Sequence, residues 1–165
     1  MDDKEAAMKT RDVMTSDPVA VEPGTPVEDV ARLIVEHRLN GVPVVDAAGL
    51  LLGIVTGGDL MHRALDEHLE PRVSLWKENF WRGLFRRRGS ELERAEGRVA
   101  AEVMTRDVVT VSPDTDVIVV ARLLTEHAVK ALPVLDHGRL VGIISRLDLL
   151  KLLGEHPDAF NPMAR

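Results

Sequence analysis

Gly53-Ile54-Val55-Thr56-Gly57-Gly58-Asp59 is answered later in the chain by Gly142-Ile143-Ile144-Ser145-Arg146-Leu147-Asp148. Both stretches run glycine, two aliphatic residues, a hydroxyl residue, two spacers and an aspartate. Upstream, a shift of 90 residues lays Val13-Met14-Thr15 on Val103-Met104-Thr105 and Ala31-Arg32-Leu33 on Ala121-Arg122-Leu123. Pro43-Val44-Val45-Asp46 likewise falls on Pro133-Val134-Leu135-Asp136. From 12–46 against 102–136, 18 of 35 ungapped positions are identical, and one residue is then lost in the second copy. The chain is an internal duplication.

Each copy reads as β-α-β-β-α, an α+β pattern. Val19-Ala20-Val21 is short, β-prone and closed by Pro23, which predicts a strand; Val109-Thr110-Val111 repeats it. Thr25 and Glu28 have the form of a capping box, with Pro26 at the first helical position. Val27, Val30, Ala31 and Ile34 recur at helical spacing, predicting a buried stripe on a helix that ends near Arg38. Val42–Val45 and Leu51–Val55 flank Asp46-Ala47-Ala48-Gly49 as a hairpin. Asp59 then begins a second helix, whose counterpart ends at Gly154 as a C-terminal cap. One copy of about 55 residues buries too little apolar surface to be comfortably stable alone. The two repeats are therefore expected to form one module, packed sheet to sheet about a pseudo-twofold axis. The expected division is a tail at 1–9, repeat 1 at 10–66, an insertion at 67–99, repeat 2 at 100–153 and a tail at 154–165.

The 165 residues are 45% apolar and 29% charged, which excludes a wholly disordered chain. No uncharged apolar run approaches the ~18–20 residues of a membrane span. The acidic start, Met1-Asp2-Asp3-Lys4-Glu5, does not resemble a secretory signal. Absence of cysteine excludes disulfides, thiolate metal sites and cysteine nucleophiles, and a cytoplasmic location is expected. The net charge of −6 makes nucleic acid an unexpected partner.

These features resemble tandem CBS-domain proteins, the pairs called Bateman modules. The resemblance rests on Asp12-Val13-Met14-Thr15 and Glu102-Val103-Met104-Thr105 opening the repeats. It rests also on Gly41-Val42-Pro43-Val44 and Ala131-Leu132-Pro133-Val134, and on the duplicated glycine-to-aspartate motif. It implies a regulatory module whose clefts bind adenosine-containing ligands such as AMP, ADP, ATP, NAD or S-adenosylmethionine, and which forms a homodimer. No required cofactor is implied.

The residues themselves support a site at that motif. Thr56 closes a strand and Asp59 lies three residues on, at a helix start, so a hydroxyl, a carboxylate and unpaired N–H groups converge. A carboxylate can accept both hydroxyls of a ribose, and the hydroxyl and N–H groups can donate to a phosphate. Ser145 and Asp148 form the equivalent pair, with Arg146 an added cation. The competing reading makes both aspartates helix caps and nothing more. Carried over by resemblance, Val42, Pro43, Leu132 and Pro133 line adenine slots. Thr15 and Ala20, with Thr105 and Thr110, match ligand-facing positions of the first strand, and Lys130 matches a phosphate-touching one. Lys130 and Arg146 stand where repeat 1 has Asn40 and Gly57, so repeat-2 residues are expected to serve a charged phosphate.

The insertion gathers Trp76, Phe80, Trp81 and Phe85 within ten positions. Their spacing predicts an amphipathic helix followed by the basic Arg86-Arg87-Arg88. Docking on the module or a dimer mate is expected, and recruitment of a regulated partner protein is the second reading. A membrane surface is not expected from one short basic stretch. His37 and His127 occupy the same helix position in each repeat, but neither has a second histidine at helical spacing, so no metal is expected. No Ser-His-Asp arrangement, phosphate loop or HExxH motif is present. The chain is expected to be a ligand sensor and not an enzyme; an interaction scaffold with empty clefts is the alternative.

Overall fold

The computed structural model describes residues 8–66 and 98–160. In chain order the elements are α1 (Thr10–Val13), β1 (Thr15–Ser16), α2 (Val27–Glu36), β2 (Gly41–Val45), β3 (Leu51–Thr56) and α3 (Gly57–Asp66). Then follow α4 (Ala100–Val103), α5 (Val117–Glu126), β4 (Ala131–Asp136), β5 (Arg139–Ser145) and α6 (Arg146–Glu155), with a 3-10 turn at Pro157–Phe160. The described residues divide into two compact α+β units: 8–19, 48–51 and 107–160 make one, and 20–47, 52–66 and 98–106 the other. Each unit thus combines the body of one repeat with the short lead-in that precedes the other. The sequence, read copy by copy, assigned each lead-in to the repeat it precedes.

In the unit built on repeat 2, β1, β5 and β4 form an antiparallel sheet in that order, with Thr15 opposite Ile143 and Ser16 opposite Gly142. The hairpin between β4 and β5 turns on His137 and Gly138, both left-handed at φ 49° and 81°, the combination that suits the twist of a two-residue hairpin. Val117, Val120 and Leu124 lie one helical turn apart on α5 and bury fully or nearly so against Leu132, Val134, Ile144 and Leu152. Each such side chain contributes about 1.5–3 kcal/mol on leaving water. Asp116 caps α5 by accepting from the Ile118 N–H at 3.0 Å.

In the unit built on repeat 1, β2 and β3 form a two-stranded sheet beside α2, α3 and α4. Ile54 and Thr105 exchange both backbone hydrogen bonds, at 3.0 and 2.9 Å. That close approach requires Gly53, because a Cβ there would lie 2.7 Å from the Thr105 carbonyl oxygen. Val30, Ala31, Val42, Val44, Val55, Ala100 and Val103 are buried.

Several local expectations need correction. The short strands expected at 19–21 and 109–111 reduce to single parallel bridges, Val21 to Val44 and Val111 to Val134. Prolines at 23 and 113 lack the donors that would extend them. The Thr25–Glu28 capping box does not form: α2 begins at Val27 with Pro26 at the cap and no side-chain cap bond. The lead-in supplies the acceptor instead, the Val27 N–H donating to the Arg98 carbonyl at 2.9 Å. This helix stops at Glu36, where His37 caps it and Arg38 turns left-handed at φ 53°. Gly154 lies inside α6, which closes at His156. The insertion residues Trp76, Phe80, Trp81 and Phe85 lie outside the described residues. Among the described residues, no helix is long and apolar enough to cross a membrane.

Replacing Gly53 by alanine drives a Cβ into backbone that cannot yield as a side chain would. Gly53→Ala is expected to destabilise the fold by about 1–3 kcal/mol, read as a lower urea midpoint with an unchanged slope.

Candidate functional site

In both repeats the strand-to-helix handover is built from one reciprocal motif. At the end of β3 the Thr56 N–H and hydroxyl both donate to Asp59 Oδ2, at 2.8 and 2.6 Å. The Asp59 N–H donates back to Thr56 Oγ1 at 3.2 Å. At the end of β5 the Ser145 N–H and hydroxyl donate to Asp148 Oδ2 at the same two distances, and the Asp148 N–H returns a bond to Ser145 Oγ at 3.3 Å. Each aspartate is therefore the first-turn member of a capping box whose cap is Thr56 or Ser145. The two hydroxyl protons are committed to their own carboxylates, so neither Thr56 nor Ser145 has one to offer a phosphate in this arrangement.

The motifs differ in the second carboxylate oxygen. Asp59 Oδ1 accepts from the exposed hydroxyl of Thr105 at 3.0 Å. Asp148 Oδ1 has no hydrogen-bond partner among the described residues. Its positional counterpart to Thr105 is Thr15, which shares a unit with Asp148 through the β1–β5 pairing. The first-strand residues are thus redistributed: Ala20 and Thr105 join Thr56 and Asp59, while Thr15 and Thr110 join Ser145 and Asp148. Beside Asp148 a cavity of about 340 Å³ opens between α1 and α6, walled by Met8, Asp12 and Val13 on one side and Lys151, Leu152, Glu155 and His156 on the other. That size falls within the usual range for small-molecule sites.

Arg146, the expected phosphate-facing cation, bonds within the chain. Its Nε donates to the Val129 carbonyl at 3.0 Å and its Nη2 to the Leu124 carbonyl at 3.1 Å. A cation on carbonyls at a helix C-terminus also complements the helix dipole, so the guanidinium seals the last turn of α5. Lys130 stays exposed, its backbone carbonyl accepting from the Arg146 N–H at 3.0 Å. Among the described residues its ammonium has no partner. Val42, Pro43, Leu132 and Pro133 are core residues: Val42 and Leu132 are at most 1% exposed. The Pro43 and Pro133 carbonyls accept from Val21 and Val111, so any part these four play in lining an adenine slot falls to their remaining backbone groups.

The Thr105 contact to Asp59 was not read from the sequence. Its signal was present: Thr15 and Thr105 follow the same Val-Met pair, and Gly53 and Gly142 open the matching motifs. Gly142 plays the part of Gly53, since a Cβ there would meet Met14 Sδ and sit 3.1 Å from the Thr15 carbonyl. Asp12 and Glu102 also share a task, each accepting from the N–H three residues before it, at 2.9 and 3.0 Å.

The chain matches the CBS domain family over residues 11–66 and again over 99–155, and belongs to that family. It is 32% identical over 144 residues to homoserine O-acetyltransferase of Methanococcoides burtonii, covering 87% of this chain and 24% of that protein. It is 32% identical over 140 residues to the chloroplastic CBS domain-containing protein CBSX2 of Arabidopsis thaliana, covering 79% of this chain and 56% of that one. The chain thus spans about a quarter and about half of these relatives. The crystal structure of CBSX2 in complex with AMP superposes with a TM-score of 0.67 at 30% identity, over 89% of this chain and 96% of that chain. The fold is that of a CBS pair.

Removing the cap hydroxyl isolates its structural contribution. Ser145→Ala is expected to cost about 1 kcal/mol of unfolding free energy in urea, whereas Ser145→Thr, which keeps the hydroxyl, retains most of it.

Proposed function

We propose that the chain is a regulatory sensor of adenosine nucleotides and not an enzyme. The observation that carries this reading is Asp148, which lines a small cavity and keeps Oδ1 unshared among the described residues. Its two lone pairs suit the vicinal hydroxyls of a ribose, each charge-assisted bond contributing about 1.5–3 kcal/mol. The AMP complex of CBSX2 supports the ligand class. Lys130, exposed and unpaired among the described residues, is the cation assigned to the phosphate, in place of Arg146. Thr15 and Thr110 complete the set by sharing its unit. AMP, ADP and ATP head the candidate ligands; S-adenosylmethionine and NAD share the same ribose.

The two repeats act as one module, and a homodimer is part of the proposal. Leu147, Leu150 and Leu153 support it, spaced one turn apart on α6 and 45–62% exposed. Occupancy would be relayed to a regulated partner protein in the cytoplasm through a ligand that binds two arrangements unequally. A scaffold with empty clefts is the second reading, favoured by one observation: Asp59 finds hydrogen bonds for both oxygens within the chain.

Thermal unfolding with AMP, ADP, ATP, S-adenosylmethionine and NAD tests the sensor against the scaffold. At a hundredfold excess over Kd the binding linkage is about 2.7 kcal/mol, so a rise of about 5–10 °C in Tm is expected for the true ligand. Asp148→Asn is expected to weaken that ligand by about 10- to 100-fold in calorimetry. No shift with any of the five leaves the scaffold.

A further inference from the structure

The duplicated motif is not equivalent in its two settings, and the difference lies in a single hydroxyl. In the unit of repeat 1, Thr105 Oγ1 donates to Asp59 Oδ1 at 3.0 Å, while Thr56 fills Oδ2 with two bonds. In the unit of repeat 2, Ser145 fills Oδ2 of Asp148 in the same way. There, however, Thr15 makes no hydrogen bond to Oδ1, and none of the described residues does. From this we infer that Thr105 is an internal competitor for the ligand: its hydroxyl occupies on Asp59 the acceptor position that a ribose hydroxyl takes on Asp148. The chain then loads one adenosine nucleotide per copy first at Asp148, and a ribose gains its two-hydroxyl grip at Asp59 only when the Thr105 bond is given up.

The position of Thr105 is enforced and not incidental. Its backbone is held by two hydrogen bonds to Ile54 at 3.0 and 2.9 Å, over the bare Cα of Gly53. Asp59 is fixed from the other side by its bonds to Thr56 at the close of β3. A ribose approaching Asp59 finds one of the two lone pairs of Oδ1 already taken, so it must displace the Thr105 hydroxyl to bind through both of its own and otherwise makes one bond fewer than at Asp148. Charge acts in the same direction: repeat 2 offers the exposed Lys130 where repeat 1 has the neutral Asn40. The competitor is also graded, because Thr105 is exposed and bonded to Asp59 by one hydrogen bond alone. It delays occupancy of that site without abolishing it, which gives the module two concentration thresholds for one ligand class.

This inference rests on the sensor reading, and calorimetry with AMP on the full chain separates the two. The wild type is expected to show one tight site per chain and a second about tenfold weaker or more, since about 1.4 kcal/mol corresponds to a factor of ten. Thr105→Val keeps the shape of the side chain and removes the donor. It is expected to tighten the weak site by about tenfold, drawing the two steps together. Equal sites in the wild type, or a weak site that Thr105→Val leaves alone or loosens, overturn the competition while leaving the sensor in place. No heat of binding in either protein overturns both. A ligand-free control covers a variant that folds poorly: urea midpoints of Thr105→Val, Asp59→Asn and the double variant are expected to be non-additive, and additive shifts count against the Thr105–Asp59 bond.

Discussion

A hydroxyl residue ending a strand and an aspartate in the first turn of the next helix exchange three hydrogen bonds, and the candidate sites depend on that exchange. It occurs twice, at Thr56–Asp59 and Ser145–Asp148, with donor distances of 2.8 and 2.6 Å in both. It satisfies N–H groups that a helix start leaves orphaned, and it fixes the carboxylate in one orientation. With one oxygen saturated by the cap, only the other is available to anything else. Structural and binding roles are therefore divided between two atoms of one side chain, and the cap reading and the ligand reading do not compete.

The second constraint is the exchange of lead-in segments. The residues before each repeat complete the unit built on the other, so Thr105 meets Asp59 and Thr15 pairs with Ile143. Glycines 53 and 142 make this possible by leaving room where a Cβ would collide with the crossing backbone. The invariant part of the motif thus serves two ends. Its aspartate caps a helix, and its glycine admits the strand that carries the neighbouring threonine.

Much of this was legible in the sequence. The duplication, the helices, the hairpins and the Thr56–Asp59 and Ser145–Asp148 pairs follow from spacing and residue type, because those features are local. What was not legible is non-local. Nothing in the run Val103-Met104-Thr105 says that its threonine completes the unit of repeat 1, since pairing partners are chosen by shape across the fold. The partners of Arg146 were hidden for a related reason: its charge suggested a phosphate, and the sequence did not show that the carbonyls of Leu124 and Val129 lie within reach of the guanidinium. The capping box at Thr25 was a sound local signal that lost to a tertiary acceptor, the Arg98 carbonyl.

The central claim is that Asp148 Oδ1 is the atom that receives the ribose. A crystal structure of the protein grown with AMP tests it most directly. The account predicts nucleotide density in the unit of repeat 2, with a ribose hydroxyl oxygen about 2.5–3.0 Å from Asp148 Oδ1 and the Ser145 bonds to Oδ2 intact. AMP seated at Asp59 alone, or bound with its ribose away from both aspartates, would contradict it.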